Sequence, residues 1–455
     1  MSGVPSSAAN GRFKATSLPP PFIPALASPV PSRCGVVATV DPLGPLTTDQ
    51  PWVEAVEAFR KRHPRRHQRL EDYDRFLESG AHLRLGAQVL ACRYRPAPPA
   101  EACLNKADGR KKRVFQYPPQ DELLFRVVNR LLQPAAAAAA SPWCRSFLPG
   151  GGARVAFRLL LAGRSVDDLA ALRLDIRDYF NSIDVTDLLG CLPPPLDAGA
   201  VHALLRNALL DPRVQRGDAV VDGGRKGIMA GTPIAPLLAT LYLRDLDHEV
   251  VASGATYARY SDDFLVLAPP AVLPEVERLI RDRLRRRQLE VNEKKTRLTG
   301  PGEGWEFLGF RYHDGAVRLA PLTERKLKAR STRLARGLLR WRERSGAPPD
   351  RALGVFLRRT NRRLYGVPLE RAHFSWATWF LPVLERPDGL DLLDAHLQRE
   401  ARYAATGRRT ARARSLFPYS TLVEAGHLPL VKAYWAVHQD PATYDALVAR
   451  RTGLG

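Results

Sequence analysis

The chain has 455 residues, enough for two or three packed domains, and its 69 Lys and Arg residues outnumber its 47 Asp and Glu residues. The resulting formal net charge of +22 favours polyanionic partners, nucleic acid first, because binding phosphates releases their condensed counterions. The five cysteines are scattered without a C-x-x-C pair, and no apolar run approaches the roughly 20 residues of a membrane span, which disfavours a disulfide framework, a zinc site and a membrane protein.

The first fifty residues are rich in Ser, Ala and Pro, and this composition predicts a flexible N-terminal arm over residues 1–50. They lack the basic and apolar regions of a secretory signal, so we expect a cytoplasmic protein. A helical pattern follows over residues 52–90 and carries a basic cluster at residues 60–66. That cluster suits a solvated helix face and a phosphate-binding surface equally well.

A second basic patch covers residues 106–113 and runs into a strand pattern at residues 114–117. Apolar residues at helical spacing then predict a helix over residues 121–133, which we expect to end at Pro134. The chemical signals begin beyond this helix, where short apolar strands alternate with turns.

The first of these signals is a strand that ends in an acid. Residues 172–176 form an apolar run that carries Asp175 near its end, and Phe180 follows five residues later. An acid at the end of an otherwise apolar strand is a candidate ligand, because carboxylate oxygens are the donors that hard divalent cations prefer.

The second signal is a predicted hairpin over residues 257–267, in which two β-prone runs flank Ser261, Asp262 and Asp263. Adjacent carboxylates between apolar strands repel each other, and such pairs persist where a divalent cation neutralises them. Hard oxygen ligands suit Mg²⁺, which keeps its other positions for water and substrate phosphates.

Two metals in phosphoryl transfer need ligands that converge from separate strands. We therefore predict Asp175, Asp262 and Asp263 as metal ligands and catalytic residues of one site. The alternative is a surface turn with two solvated acids, since Asp-Asp pairs are common. The upstream strand with its acid favours the metal site.

These motifs resemble those of the reverse transcriptase family, in particular its prokaryotic lineage of group II intron, retron and defence-associated enzymes. Residues 260–263 match the family's Tyr-x-Asp-Asp box, and Asp175 with Phe180 matches its first palm motif. The resemblance implies that these aspartates bind metal and that Phe180 excludes a ribose 2′-hydroxyl. Plain core packing is the alternative for Phe180. We assign Tyr260 to nucleic-acid binding.

Residues 227–243 resemble the second palm motif of the family, a glycine turn leading into a helix that lines the nucleotide and template site. Gly231 suits this role, since a missing side chain lets the backbone approach a ligand closely. The sequence departs from the family at residues 229–230, where Met-Ala replaces the usual Pro-Gln. The glutamine helps to hold the incoming nucleotide in relatives, so Ala230 leaves ordinary templated synthesis in question.

Three further segments match the family. Residues 289–296 resemble its fourth motif, in which Lys295 corresponds to a lysine near the triphosphate, and residues 307–310 resemble the hairpin that contacts the primer strand. Upstream, Lys106 and Arg113 match the fingers cations that hold the triphosphate. Such cations neutralise charge that develops on the phosphates, although a lone Lys or Arg is more often simply solvated.

Beyond residue 321 the chain becomes helical and rich in Arg. Arg330, Arg333 and Arg340 share one helix face at near-helical spacing, and we predict that they bind a nucleic-acid backbone. The expected fold class is α+β, a right-hand polymerase with fingers, a palm containing an antiparallel sheet, an α-helical thumb and a helical C-terminal extension. The expected divisions are the arm at residues 1–50, fingers and palm at 51–315, thumb at 316–380 and extension at 381–455.

The function that the resemblance implies is that of an RNA-directed DNA polymerase, which makes cDNA by nucleotidyl transfer with two Mg²⁺ ions, Mn²⁺ being the alternative. The expected partners are an RNA template, taken to be a dedicated noncoding RNA, a DNA product and deoxynucleoside triphosphates; the expected role is antiviral defence. No membrane partner is expected, and the oligomeric state is open. Two alternatives remain: a template-independent or protein-primed DNA polymerase of the same fold, and a non-catalytic, maturase-like RNA-binding protein.

Overall fold

The structure is a computed structural model that describes residues 41–105, 111–144, 146–162, 165–224, 226–366 and 375–452. Within these ranges the chain forms eleven strands in three sheets and nineteen α-helices. Of these helices, none combines the length and the apolar character that a membrane span requires.

The strands are β1 (Ala100–Asn105), β2 (Lys111–Gln116), β3 (Ala170–Asp175), β4 (Arg213–Arg216), β5 (Ala219–Asp222), β6 (Thr256–Tyr260), β7 (Asp263–Ala268), β8 (Arg297–Thr299), β9 (Trp305–Phe307), β10 (Phe310–His313) and β11 (Ala316–Leu319). The first eleven helices are α1 (Gln50–Arg62), α2 (His67–Glu78), α3 (Ala81–Leu90), α4 (Pro119–Ala139), α5 (Ala153–Leu161), α6 (Tyr179–Ser182), α7 (Val185–Gly190), α8 (Gly199–Leu209), α9 (Ala235–Tyr242), α10 (Arg244–Ala252) and α11 (Leu273–Arg286). The remaining helices are α12 (Pro321–Ser345), α13 (Pro349–Leu364), α14 (Trp376–Phe380), α15 (Leu390–Thr406), α16 (Ala411–Leu416), α17 (Tyr419–Glu424), α18 (Leu430–Gln439) and α19 (Pro441–Thr452).

The segment just before α1 is part of the folded core. Leu43 and Leu46 are fully buried, and the indole of Trp52 donates a hydrogen bond of 3.0 Å to the carbonyl of Leu46. A Cβ at Gly86 of α3 would collide with the same carbonyl, so the two segments pack as closely as glycine allows. The arm predicted for residues 1–50 is therefore too long at its C-terminal end, and its remainder, residues 1–40, lies outside the described residues.

Helix α4 does not end where the sequence predicted. It continues through Pro134 to Ala139, although proline removes one backbone hydrogen bond from a helix interior. Leu132 and Ala136, on either side of the proline, are fully buried, so tertiary packing of the apolar face outweighs the local penalty.

The central sheet has the strand order β6-β7-β3-β8 and is antiparallel throughout, as expected for the palm. Alternate side chains of a strand point to opposite faces, and here both faces are covered. Leu172 and Leu174 of β3 pack into one core with α9 and α11. Leu265 and Leu267 of β7 face a second core, formed with α5 and the three-stranded sheet β11-β10-β9. The strands therefore read as near-continuous apolar runs.

A four-stranded sheet of order β2-β1-β4-β5 lies on the other side of the first core, and the C-terminal part is helical. Helices from both sides of residue 380 share their cores: Phe356 of α13 and Ala401 of α15 belong to one cluster, and Tyr365 and Leu397 belong to another. The predicted thumb and extension therefore pack as one helical unit. The α+β fold class is confirmed.

Candidate active site

A cavity of about 620 Å³ opens where strand β3 ends. Asp175 and Asp262 both line it, which brings together acids that are 87 residues apart in the chain. Its other principal lining residues are Lys111, Lys112, Phe147, Phe180, Ala230, Gly231, Tyr260, Asn292 and Lys295. Ten of these eleven residues come from segments in which the sequence predicted chemistry or nucleic-acid contacts; the exception is Phe147.

The two acids meet because of strand pairing and a tight turn. Strands β3 and β7 pair antiparallel with Asp175 opposite Asp263, and the N–H of Ile176 donates to the carbonyl of Asp262 at 3.0 Å. Ser261, in the turn between β6 and β7, has a φ of +59°, a left-handed conformation that is uncommon for a residue other than glycine. Because of this turn, the side chains of Asp262 and Asp263 point in different directions.

Asp175 is 5% exposed and is held on both carboxylate oxygens. Lys295 Nζ lies 2.6 Å from Oδ2, and Asn292 Nδ2 donates to Oδ1 at 3.0 Å. The main-chain N–H of Asn292 also donates to the carbonyl of Asp175, at 2.7 Å. Lys295 thus lines the cavity, where it contacts Asp175, one of the predicted metal ligands. Asn292 was not predicted; its place beside Lys295 in the fourth motif was the available signal.

The second acid of the cavity, Asp262, has a raised pKa. Burial raises the pKa of Asp262 above that of an ordinary aspartate, and the negative charge of Asp175 raises it further, while Lys295 opposes the shift. A buried pair of like charges is unfavourable unless a cation lies close by. The site is therefore built to attract positive charge.

Asp263 is placed differently from its neighbour. Both of its carboxylate oxygens accept hydrogen bonds from the guanidinium of Arg173, at 2.9 and 2.8 Å. Burial raises the pKa of Asp263, and Arg173 works against that shift. Asp263 lines a second cavity of about 870 Å³, which also touches Asp175 and Asp262. The cations that line this second cavity are Arg173, Lys294, Lys295, Arg297, Arg311 and Lys326.

An aromatic group forms one wall of the first cavity. The ring of Phe147 lies 6.4 Å from that of Phe180 and 5.8 Å from that of Tyr260, measured between centroids. Phe147 is 42% exposed and has a φ of +62°, a strained conformation for a bulky side chain. Sequence reasoning missed Phe147, because an exposed aromatic residue in an irregular loop carries no periodic signal.

One segment of the chain matches a known protein family. Residues 109–312 match the sequence model of the family described as reverse transcriptase (RNA-dependent DNA polymerase). The chain contains a reverse transcriptase domain. Such a domain is that of an RNA-directed DNA polymerase, a nucleotidyltransferase. The match contains Asp175, Asp262 and Asp263 as well as the cavity that the first two line.

A comparison with solved structures finds similarity to apo telomerase from Candida tropicalis truncated from the C-terminal domain. The sequence identity is 12%, the TM-score is 0.39, and the matched region covers 49% of this chain and 56% of the other. The chain thus matches little more than half the length of that structure. A search of curated protein sequences gave no significant match.

The acids of the reverse transcriptase domain are suited to a divalent cation that is bound jointly by carboxylates and by the phosphates of a substrate. Among the described residues, no group of three or more His, Cys, Asp or Glu side chains is arranged to hold a metal ion by itself. Mg²⁺ is usually bound through one or two carboxylates together with substrate phosphates. Asp175 and Asp262 supply two hard oxygen donors on one cavity, and Lys295 supplies a positive charge there.

The second palm motif of the domain packs against the fingers strand β2. Gly231 has a φ of +102°, and a Cβ there would lie 3.1 Å from the carbonyl oxygen of Phe115. The N–H of Phe115 donates to the carbonyl of Ala230 at 2.8 Å. A glycine is thus required for close packing against the protein backbone, in addition to its predicted place beside the substrate. Ala230 lines the cavity without a polar side chain.

Only one of the two cations predicted to hold the triphosphate, Arg113, lies among the described residues. Arg113 does not line the first cavity; it donates to the carbonyl of Gly223 at 3.4 Å and lies over the ring of Phe115. Its neighbour Lys112 lines the cavity, with its Nζ 5.7 Å from the centroid of Phe180. Lys111 lines the cavity as well, so simple alternation along β2 does not account for this arrangement. Lys106 lies outside the described residues.

The predicted nucleic-acid contacts divide into two groups. Tyr260 lines both cavities beside the acids. Arg330, Arg333 and Arg340 are exposed on helix α12 and line neither cavity. Arg330 and Arg333 are close enough to Arg363 of α13 to lower its pKa, an effect to which partial burial contributes most.

Proposed function

We propose that this chain is an RNA-directed DNA polymerase that joins a primer 3′-hydroxyl to the α-phosphate of a deoxynucleoside triphosphate and releases pyrophosphate. The observation that carries the proposal is the meeting of Asp175 and Asp262 in one cavity, which two lysines of β2 also line and which lies within the reverse transcriptase match. A cavity lined by both acids and cations has the charges that transfer of a phosphoryl group between two oxygens requires.

In this proposal Asp175 and Asp262 hold two divalent metal ions, Mg²⁺ first, and Asp263 supports them. When bound, these ions neutralise charge on the phosphates and favour ionisation of the attacking hydroxyl. Asn292 and Lys295 orient the Asp175 carboxylate through the two hydrogen bonds described above. Lys112 faces the same cavity and balances the charge of the triphosphate.

The aromatic wall selects between deoxyribose and ribose in the incoming nucleotide. Phe180 lines the cavity and is packed edge-on against Tyr179, with centroids 5.9 Å apart, so the ring has little freedom to move aside. A ring held there excludes a nucleotide that carries a 2′-hydroxyl. Phe147, on the open side of Phe180, completes the wall.

The direct test is primer extension with purified protein, Mg²⁺, four deoxynucleotides and a primer annealed to RNA of defined sequence. We expect products that reach the end of the RNA and are complementary to it, and none after chelation of the metal. Asp175→Asn should abolish extension. The matched control is Asp314→Asn, which changes an exposed acid at the tip of another hairpin and should leave extension unchanged. Failure of the wild-type protein to extend any primed template would contradict the proposal.

We further propose an RNA template, a dedicated noncoding RNA, and a role in antiviral defence. The net charge of +22 and the cations of the second cavity support binding of a polyanion, while the defence role rests on the resemblance of the motifs to defence-associated enzymes. Copurification of the chain with its nucleic acid, followed by sequencing of RNA and DNA, tests the template. A DNA product unrelated to any bound RNA would contradict it.

One observation favours a second candidate, a polymerase that extends without a conventional template or from a protein primer. Ala230 lines the cavity where relatives carry a glutamine, and its methyl group can neither donate nor accept a hydrogen bond. Product sequences from the wild type and Ala230→Gln, with each deoxynucleotide omitted in turn, separate the two candidates. Faithful copies of RNA from both proteins would exclude the second candidate, and homopolymeric products from the wild type would favour it.

A further inference from the structure

A buried ion pair lies directly behind the turn that carries Asp262. Arg259 of β6 and Asp247 of α10 have fully buried side chains, and Nε and Nη2 of the arginine each lie 2.7 Å from a carboxylate oxygen of the aspartate. The hydroxyl of Tyr257 donates to the same carboxylate at 2.8 Å. Burial works to lower the pKa of Arg259, but Asp247 and its other neighbours raise it well above the usual value, so the guanidinium stays charged.

The rest of the guanidinium reaches the catalytic turn. Nη1 of Arg259 donates to the carbonyl of Ser261 at 3.1 Å, and Nη2 donates to the carbonyl of Thr240 in α9 at the same distance. A guanidinium is planar and presents its donors in a fixed fork. Once Asp247 fixes one edge of that fork, the position of the donor to Ser261 is fixed as well.

Ser261 is also held from its other side. Its main-chain N–H donates to Ser146 Oγ at 3.1 Å, and Ser146 is itself hydrogen bonded to Thr240. Both backbone polar groups of a residue in a strained left-handed conformation are thereby anchored to buried groups. The next residue is Asp262, whose carboxylate direction depends on this turn.

A gain in stability is a weak explanation for such an arrangement. Buried ion pairs can often be replaced by apolar residues of similar volume with little loss of stability, because removing two charges from water is costly. An apolar pair, however, has no donor for the carbonyl of Ser261. The feature that only the arginine supplies is therefore the hydrogen bond to the turn.

We infer that Arg259, fixed by Asp247, is a positioning residue that aims Asp262 into the cavity by holding the carbonyl of Ser261. The inference rests on the proposed function, since it assigns Arg259 to the geometry of a metal-binding acid. It predicts that loss of the pair changes turnover and metal affinity while leaving the fold and nucleotide binding in place.

The principal test replaces both partners, Arg259→Met together with Asp247→Leu, so that no unpaired charge remains buried. We expect a cooperative unfolding transition, a nearly unchanged KM for deoxynucleotide and a fall in kcat of about 10²-fold. Mn²⁺ alone, followed by electron paramagnetic resonance, should bind about 10-fold more weakly than to the wild type. The control removes a pair of the same geometry away from the site, Arg409→Met together with Glu400→Leu. Its guanidinium also binds both carboxylate oxygens, at 2.8 Å each, although the Arg409 side chain is 33% exposed. Turnover and Mn²⁺ affinity should not change in that control.

A second variant tests the inference in case the double variant does not fold. Ser146→Ala keeps the ion pair and removes the acceptor for the N–H of Ser261, together with hydroxyl contacts to Thr240 and Cys144. We expect about a 10-fold fall in both kcat and Mn²⁺ affinity. The inference would be overturned if a folded Arg259→Met, Asp247→Leu protein kept wild-type kcat and Mn²⁺ affinity. If the double variant does not fold, wild-type kcat and Mn²⁺ affinity in Ser146→Ala would overturn it. Mn²⁺ binding without nucleotide incorporation by the wild type would contradict the proposed function alone, leaving Arg259 to be judged on Mn²⁺ affinity. No Mn²⁺ binding by the wild type would overturn both.

Discussion

The end of strand β3 and the outer face of helices α12 and α13 both concentrate charge of one sign, but in opposite environments. Asp175 is buried, and burial together with the negative charge of Asp175 raises the pKa of Asp262. Arg330 and Arg333 are exposed beside Arg363, and none of the three forms an ion pair with an acid in the described ranges. Buried like charges are costly, whereas exposed ones are screened by water and salt. The acids are therefore the stronger indication of a specific ligand.

The largest expected effect comes from the buried acids. Asp262→Asn removes one ligand charge from the cavity with little change in shape, so incorporation should fall by about 10³-fold while RNA binding is retained. Primer extension and filter binding on the same preparation check both parts. Normal incorporation by a folded Asp262→Asn protein would show that the pair of acids is not the catalytic site.

The neighbouring Asp263 provides a matched comparison within the same hairpin. Because Arg173 already binds both of its carboxylate oxygens, Asp263→Asn should reduce incorporation less than Asp262→Asn does. The expected order is wild type, then Asp263→Asn, then Asp262→Asn, in the same extension assay. The reverse order would mean that the carboxylate in the second cavity carries the chemistry.

The aromatic wall should control the choice of sugar. Phe180→Ala opens the cavity beside the acids, so we expect the preference for deoxynucleotides over ribonucleotides to fall by about 10-fold or more, with a modest loss of deoxynucleotide use. The ratio of kcat/KM for the two sugars measures it. Phe147→Ala is the companion variant: a larger loss of discrimination there than in Phe180→Ala would assign the gate to Phe147.

The exposed arginines should affect affinity without affecting the chemical step. Replacing Arg330, Arg333 and Arg363 by Gln should weaken RNA binding and flatten its salt dependence by roughly 0.7–0.9 in the logarithmic slope per lost phosphate contact. Binding titrations at several salt concentrations provide the slope, and kcat at saturating RNA should be unchanged. A constant slope would mean that this face of α12 and α13 is only solvated.

The smallest expected effect is on stability. Burial and Asp175 raise the pKa of Asp262 above its value in the unfolded chain, so the folded state binds a proton there more readily. Stability then falls as pH rises through the window between the two pKa values, and it stays reduced at neutral pH. Asp262→Asn should remove this penalty and raise the melting midpoint by about 1–4 °C at pH 7. Between a pH below about 4, the ordinary aspartate pKa, and pH 7, the midpoint should fall further in the wild type than in the variant. A destabilised variant would contradict the assignment.

Much of the first cavity could be predicted from short stretches of sequence. An apolar run with Asp175 at its end and a Tyr-Ser-Asp-Asp tip between two β-prone runs are local patterns, and the structure brings Asp175 and Asp262 together through strand pairing. The roles of these residues remain predictions until the variants are measured. Local patterns succeed here because strand alternation and turn chemistry are decided within a few residues.

Other predictions from the sequence failed, because packing between distant segments decided the outcome. Helix α4 continues through Pro134 because its apolar face is buried on both sides of the proline. Leu43 and Leu46, inside the predicted arm, are fully buried, and Leu46 packs against Gly86 of α3. Neither composition nor helix propensity contains this information, since both describe a segment without its neighbours.

The amino-acid sequence by itself determined the acids, their order along the chain and the α+β pattern of elements around them. Only the tertiary structure decided that Lys112 lines the first cavity and Arg113 does not, and that Asp263 lines the second cavity alone while Asp262 lines both. It also decided that a fully buried Arg259 donates a hydrogen bond to the carbonyl of Ser261, in the turn that precedes both acids. The physical reason is that side-chain direction depends on strand register and on a left-handed turn at Ser261. Both are set by contacts between segments up to 115 residues apart, as the hydrogen bond from Ser261 to Ser146 illustrates.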